Sequence, residues 1–422
     1  MLDIKLIREN AAFVKENLAN KNHIADTDHI LTLDEVRRNI IKNVEVLKAE
    51  RNVATLKVAE LKKAKQNADQ IILKMKEVSD RIKDFDDELR DVESRLNIAM
   101  QNLPNVTHSS VPQGKDAENN VVIRGKGETN PSYHKLDHIE ICKKLGIVDF
   151  ERGAKVTGSG FHFYTDKGAR LERALINYFL DTHTDKNGYR EMMPPFVVNS
   201  DSMYGTGQLP KMHEDMYHAA NDNLYLIPTA EVPLTNYYNG EVLDGLKMPI
   251  KVTGYSPCFR REAGSYGRDV RGLLRVHQFN KVELVKFVQP EKSFDELEAM
   301  VSEVENILIE LGLTYRVLLL CSGDTSFAST KTYDLEVWAE SEQKWLEVSS
   351  CSNFVDFQAR RANIRYKKDP NSKPETCHTL NGSGLATPRI MVALVEKYFD
   401  GVKLIIPEVL RKYTGFSEIH SI

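Results

Sequence analysis

The sequence predicts an α+β protein: an N-terminal antiparallel coiled-coil hairpin followed by a largely antiparallel sheet flanked by helices. Three observations carry that expectation. Apolar residues recur in steps of four and three over much of the first hundred residues, the rhythm of a coiled-coil seam. From about residue 146 this gives way to short alternating runs broken by turn residues, the signature of strands. Those strands follow one another with few intervening helices, which favours antiparallel pairing over a doubly wound parallel sheet. With 422 residues the chain divides into several domains, expected at 1–105, a linker at 106–145, and 146–422.

The seam is most regular from Ile71 through Met75, Val78, Ile82, Phe85, Leu89, Val92 and Leu96 to Ala99. Upstream, Leu33, Ile40, Val44, Leu47, Ala54, Val58 and Leu61 keep the same rhythm, interrupted at Arg37 and Arg51. Between the two lies the polar stretch KKAKQNADQ (62–70). Two seams around a polar turn predict a helical hairpin over about 28–100. The alternative is one continuous helix pairing in parallel with a second copy; the register reset at Ile71 favours the hairpin. Charge is uneven along it. Lys57, Lys62, Lys63, Lys65, Lys74 and Lys76 crowd the expected tip, while Asp80, Asp84, Asp86, Asp87 and Glu88 lie toward the base. A solvated face accounts for mixed charge, and a basic tip also suits a phosphate backbone.

Residues 101–135 are rich in Pro, Gly, Asn and Ser and read as a linker with one short strand at Asn120–Arg124. His134 and His138 in HKLDH have helical spacing, but no third metal ligand accompanies them. An amphipathic helix is expected at Arg170–Thr182, then YREMMPPFVV, extended at its prolines. Strands are expected at Leu224–Ile227, Ile250–Tyr255, Phe279–Val288, Tyr315–Leu320, Thr332–Trp338 and Lys344–Val348, the last two as a hairpin. Helices are expected at Ser293–Leu311 and Pro388–Tyr398.

Composition sets limits on function. Hydrophobic residues make up 41% and charged residues 28%, with a formal net charge of −4. That composition fits a globular protein and argues against nucleic-acid coating by bulk charge, while allowing a local basic surface. No apolar run is long enough to cross a bilayer, so no membrane partner is expected. The opening MLDIKLIRENAAFVKENL is unlike a targeting peptide. The five cysteines (142, 258, 321, 351, 377) are widely spaced and form no CxxC. They read as reduced thiols of a cytoplasmic protein, with no structural zinc expected.

The densest chemistry lies in CFRREAGSYGRDVRGLLRVHQF (258–279), with five arginines among three glycines. Arg260 and Glu262 are expected on one face of a strand, alternating with Phe259 and Arg261. Leu273–Phe279 would be the returning strand. Arg268 and Arg271, with Arg261, would belong to a glycine-jointed loop between them. Glu283 follows in the same sheet; WLEVSSCSNF supplies Glu347 and Ser350, and NGSGLATPRIMVALVE supplies Ser383 and Arg389. Arginines for phosphate, carboxylates for a divalent cation and an aromatic for a base make a coherent nucleotide site.

FRRE with its loop and HQFNKVE resembles motif 2 of the class II aminoacyl-tRNA synthetases, GSGLATPRIMVALVE resembles motif 3, and GYREMMPPFVV resembles motif 1. More narrowly, TGQLPKM (206–212), PTAEVPLTN (228–236), TYDLEVW (332–338), EVSSCSNFVDFQARR (347–361) and the hairpin resemble the bacterial-type seryl-tRNA synthetases. The resemblance covers essentially the whole chain in order. Motif 3 reads Ala-Thr-Pro-Arg where many members carry a glycine before the arginine, which places Pro388 near a helix N-terminus.

The resemblance implies a class II synthetase-like fold and an ATP-dependent serine–tRNA ligase, with ATP as co-substrate and Mg²⁺ as cofactor. Arg260, Glu262 and Arg389 would be catalytic. ATP would lie among Arg260, Arg261, Glu262, Phe279, Glu347, Val348, Ser349, Ser350 and Arg389, with Mg²⁺ on Glu347 and Ser350. L-Serine would sit among Thr229, Ala230, Glu231, Arg260, Glu283 and Ser383. tRNA for serine would be gripped by Lys57, Lys62, Lys63, Lys65, Lys74 and Lys76, and tRNA for selenocysteine stays open as a further acceptor. A homodimer with motif 1 at its interface is implied as well. Two other readings share the pattern: a ligase that loads another acceptor, such as a carrier protein, and a non-catalytic RNA-binding paralogue. The hairpin speaks against the first, and the presence of Arg260, Glu262, Glu347 and Arg389 against the second.

Overall fold

The computed structural model describes residues 1–129, 136–263 and 271–422. Arg268, and His134 of the HKLDH pair, lie outside the described residues. Contacts separate the chain into two units. One comprises Leu2–Ala19 and His23–Pro104; the other comprises Asn105–Ile422 with Met1 and Asn20–Asn22.

The first unit is dominated by two long helices, α1 (Thr27–Lys63) and α2 (Asp69–Gln101). At 1.5 Å per residue α1 alone is about 55 Å long. Leu33, Ile40, Val44 and Leu47 of α1 share one apolar cluster with Val78, Ile82 and Val92 of α2, while Phe85, Leu89 and Leu96 pack against it. Arg37, which breaks the seam in sequence, pairs across the hairpin with Glu93 at 2.9 Å. A contact between the start of one helix and the end of the other requires antiparallel helices. At the turn, Lys65 takes a positive φ of 55° and the Gln66 amide donates to the Leu61 carbonyl at 2.8 Å. Ala68 is buried there, a small apolar anchor within the polar stretch. Close to the turn Ala54, Val58, Leu61, Ile71 and Met75 are only half-buried, so less apolar area is removed from water there than along the rest of the seam.

In the second unit an eight-stranded sheet carries the architecture. Its strands are β1 (Val121–Lys126), β2 (Arg190–Glu191), β3 (Ile250–Phe259), β4 (Gln278–Val288), β5 (Tyr315–Leu319), β6 (Lys331–Ala339), β7 (Lys344–Val355) and β8 (His378–Ala386). They lie in the order β1-β5-β6-β7-β8-β4-β3-β2. Every neighbouring pair is antiparallel except β2 with β3. Helices α3 (Asp166–Asp181), α4 (Ser293–Glu310) and α5 (Thr387–Tyr398) share the main apolar cluster with this sheet. Alternation on β4 shows how the faces divide. Val282 and Leu284 enter that cluster, whereas Lys281 and Glu283 turn to the opposite face.

Three differences from the sequence reading matter. β3 ends at Phe259, so Arg260 and Glu262 do not share a strand face; Glu262 sits beyond it at φ 51°. The returning strand begins at Gln278 rather than Leu273, because Leu273 and Leu274 are buried in a turn. The segment 106–145 is more than a linker. β1 forms the sheet edge on β5, and Ile141, Cys142 and Leu145 of the helix His138–Leu145 join the main core. Short elements between turn residues give that segment its loop-like composition.

Candidate active site

On the face of the sheet opposite α3 to α5 lies a cavity of about 630 Å³. One end is an aromatic and cationic platform. The Arg260 guanidinium lies 5.1 Å from the centre of the Phe279 ring, and its Nε reaches the Pro228 carbonyl at 3.4 Å. The Arg260 amide donates to the His277 carbonyl at 2.9 Å, so the chain beyond β3 is still tied to the chain entering β4. Glu262 pairs with Arg275, and both line the cavity. Arg389, in the first turn of α5, donates from Nε to the Leu274 carbonyl at 3.1 Å and from Nη1 to the Glu347 carbonyl at 2.7 Å. Pro388 occupies the first turn of α5, where no backbone donor is needed.

The other end is a chamber of carboxylates. Glu283 is buried, and its Oε2 is held by Lys281 Nζ at 2.5 Å and by the Thr229 hydroxyl at 3.0 Å. Burial raises the Glu283 carboxyl above the usual range against the opposing pull of Lys281. Glu231 is buried beside it; Oε1 accepts from Gln358 at 2.6 Å, and Gln208 approaches Oε2 to 3.5 Å. Burial first, and then the Glu283 charge, push Glu231 up to about 7. Ser383 faces Glu283 in the β8–β4 register and lines the same chamber. Two carboxylates with one lysine and one arginine nearby suit a small ligand that carries an ammonium, a hydroxyl and a carboxylate.

A β-bulge joins the two ends. Ser350 pairs with Asp334 and Ser349 with Leu335, but Glu336 pairs with Glu347, which leaves Val348 as the extra residue. Simple alternation would put Glu347 and Ser350 on opposite faces. The bulge turns both into the cavity. Asp334 lies behind Ser350, its acid held well above the usual range by burial and by the Glu347 charge. Hard oxygen donors presented this way fit a Mg²⁺ ion, which takes one or two protein carboxylates and completes its shell with phosphate and water.

The cavity brings together Thr229, Glu231, Arg260, Glu262, Phe279 and Glu283 with Glu347, Val348, Ser350, Ser383 and Arg389. Three sequence candidates are not among its lining residues. Ser349 turns away and donates to the Ser383 carbonyl at 2.6 Å; Ala230 is buried at the start of the helix Glu231–Asn236. Arg261 sends its guanidinium to the Glu214 carbonyl at 3.3 Å. Arg271 pairs with Asp137 at 3.1 Å. His138 is buried, and its Nε2 accepts from the Leu273 amide at 3.3 Å, a structural role. All five cysteines are buried thiols; burial pushes Cys351 up to about 12, which leaves it a poor nucleophile. Lys281, Gln208 and Gln358 were missed. Strand alternation between Phe279 and Glu283 points to Lys281, and the glutamines lie in TGQLPKM and EVSSCSNFVDFQARR, but their meeting at Glu231 leaves no local signal. Lys57, Lys62, Lys63, Lys65, Lys74 and Lys76 are all exposed on the hairpin.

The family model described as "Seryl-tRNA synthetase N-terminal domain" matches residues 1–107, and "tRNA synthetase class II core domain (G, H, P, S and T)" matches residues 215–398. A serine–tRNA ligase of Chloroherpeton thalassium is 52% identical over 98% of this chain and 99% of its own. One from Carboxydothermus hydrogenoformans is 52% identical over the full length of both. Among solved structures, the seryl-tRNA synthetase of Pyrococcus horikoshii complexed with ATP superposes with a TM-score of 0.94 at 36% identity, covering 100% of both chains. No described helix is long and apolar enough to cross a membrane.

Proposed function

This chain belongs to the seryl-tRNA synthetase family and is a serine–tRNA ligase; on that premise we propose how its residues divide the work. ATP is a substrate. The Arg260–Phe279 platform takes the nucleotide, with the adenine on Phe279, its amino group donating to Glu262, and the α-phosphate held by Arg260. Arg389 closes the other side of the nucleotide or its γ-phosphate. Glu347 and Ser350 would hold Mg²⁺, which when bound neutralises phosphate charge and orients pyrophosphate as a leaving group.

Serine occupies the carboxylate chamber. Its ammonium faces Glu231 and Thr229, its hydroxyl faces Glu283 and Ser383, and its carboxylate faces Arg260. That carboxylate attacks the α-phosphorus and expels pyrophosphate. The terminal ribose hydroxyl of the tRNA then attacks the seryl carbonyl and expels AMP. Neither step needs an enzyme nucleophile, so positioning and charge neutralisation supply most of the rate. The single observation that carries this assignment is the paired arrangement of Glu283 with Lys281 and Thr229, a buried charge fixed opposite Ser383.

The exposed tip lysines, Lys57 to Lys76, take the tRNA by backbone charge and shape, on a hairpin unit spanning about 1–105. The enzyme works as a cytoplasmic homodimer through the GYREMMPPFVV segment; Met193 is 88% exposed there, with Phe196 and Val197 also exposed, an apolar surface suited to a second copy. The deciding experiment is serine-dependent ATP–pyrophosphate exchange followed by charging of tRNA for serine and, in parallel, for selenocysteine. Exchange with another amino acid and none with serine would overturn the substrate. Sedimentation of a monomer at micromolar concentration would overturn the dimer.

A further inference from the structure

A second cavity of about 510 Å³ lies along α3, lined by Tyr164, Glu172, Met193, Tyr255 and Asn280 among others. At its inner wall is a carboxyl group that the chemistry above does not use. Glu172 is only 5% exposed, on the face of α3 that otherwise buries Leu171, Ala174, Leu175 and Phe179. An apolar residue would dock the helix there at less cost, because an acid so buried must be satisfied by donors.

The donors come from two places that matter. Glu172 Oε1 accepts from Asn280 Nδ2 at 2.8 Å and from the Thr387 hydroxyl. Thr387 Oγ1 also lies 3.2 Å from the Asn280 carbonyl, and Asn280 Oδ1 accepts from the Tyr255 hydroxyl at 3.0 Å. Asn280 directly follows Phe279 on β4, and Thr387 opens α5 two residues before Arg389. One carboxyl oxygen therefore clamps together the strand that carries the aromatic platform and the helix start that carries the arginine above it.

We propose that Glu172 is a positioning residue for the ATP subsite, fixing through Asn280 and Thr387 the separation of Phe279 and Arg389. The proposal rests on the assignment of those two residues to the nucleotide. Burial pushes the Glu172 acid up to about 7, opposed by its bonds to Thr387 and Asn280, and the Tyr164 phenol faces the same carboxyl. A neutral acid keeps the acceptor oxygen that the clamp requires, so Glu172→Gln is a conservative replacement and Glu172→Ala removes the clamp.

The test is serine-dependent ATP–pyrophosphate exchange by the full-length enzyme, with active-site concentration set by the adenylate burst. Glu172→Ala is expected to raise KM for ATP about tenfold, with KM for serine changed by less than about twofold, since small misplacement of binding groups costs factors of this size. Glu172→Gln is expected to return KM for ATP to within about threefold of the parent. Thr387→Val keeps the volume, removes one donor and should raise KM for ATP by about threefold to fivefold, a second reading if Glu172→Ala does not fold. Unchanged KM for ATP in folded Glu172→Ala or Thr387→Val enzyme, with only a lowered Tm, would reduce Glu172 to helix docking and overturn the proposal. Equal rises in KM for ATP and serine would overturn it as well. Absence of exchange in the parent enzyme would instead fail the ligase assignment on which the proposal stands.

Discussion

The hairpin and the cavity place charge in opposite ways. On the hairpin the six tip lysines are exposed, and the ordered interactions are a repeating apolar seam with a few surface pairs such as Arg37–Glu93. In the cavity, Glu231, Glu283 and Lys281 are withdrawn from water and held by named partners at 2.5 to 3.0 Å. Exposed charges act additively, are screened by salt and tolerate replacement. Buried ones act as a unit, and removing one partner strands the other. On the proposed assignment the same residue types bind RNA by summed charge in one region and read a small molecule by geometry in the other.

The sharpest way to break this contrast is Arg260→Ala. Loss of the guanidinium at the Phe279 platform should lower kcat/KM for pyrophosphate exchange by about 10³-fold, by analogy with removal of a single preorganised donor. A loss below tenfold would take Arg260 out of the α-phosphate role. Next, Glu283→Ala should erode discrimination of serine over alanine on the order of 10²-fold, because the buried group that punishes a missing hydroxyl is gone. The ratio of exchange rates with the two amino acids measures this, and an unchanged ratio removes Glu283 from hydroxyl reading.

A third test works on the hairpin. Replacing the six tip lysines together by glutamine should reduce kcat/KM for tRNA charging by about 30-fold at low salt while exchange stays at the parent rate. The deficit should shrink as salt rises, since the parent loses the same electrostatic attraction; equal loss of exchange and charging would remove the separation between the regions. The smallest effect concerns pH. Burial and the Glu283 charge push the Glu231 acid up to about 7, against the opposing pull of Gln358, Lys281 and Arg260. Above that pH it is ionised and able to hold the serine ammonium; below it the proton neutralises it. KM for serine should therefore rise about tenfold from pH 8 to pH 6, with no such change in KM for ATP. A flat profile, or one that Glu231→Gln leaves intact, would assign the titration elsewhere.

Much of the molecule was legible in the sequence, for reasons that differ between the regions. The hairpin follows from heptad spacing and a polar gap, both local, and the burial of Val44, Leu47, Val78 and Ile82 in one cluster matches that spacing. The antiparallel sheet follows from strands adjacent in sequence, and Phe279 and Glu283 from alternation along one strand. What the sequence alone determined is thus whatever repeats with a helix or strand period, together with the motif residues, such as Arg260, Glu347, Ser350 and Arg389, that resemblance marked for the cavity. Tertiary structure decided the rest. A bulge at Val348 puts Glu347 and Ser350 on one face where alternation would part them, and a positive φ takes Glu262 off its expected strand. Gln358 meets Glu231 across 127 residues of chain, and Glu172 meets Thr387 across 215. Such meetings leave no periodic trace, because the free energy that selects a buried donor for a buried carboxylate exists only once both have left water.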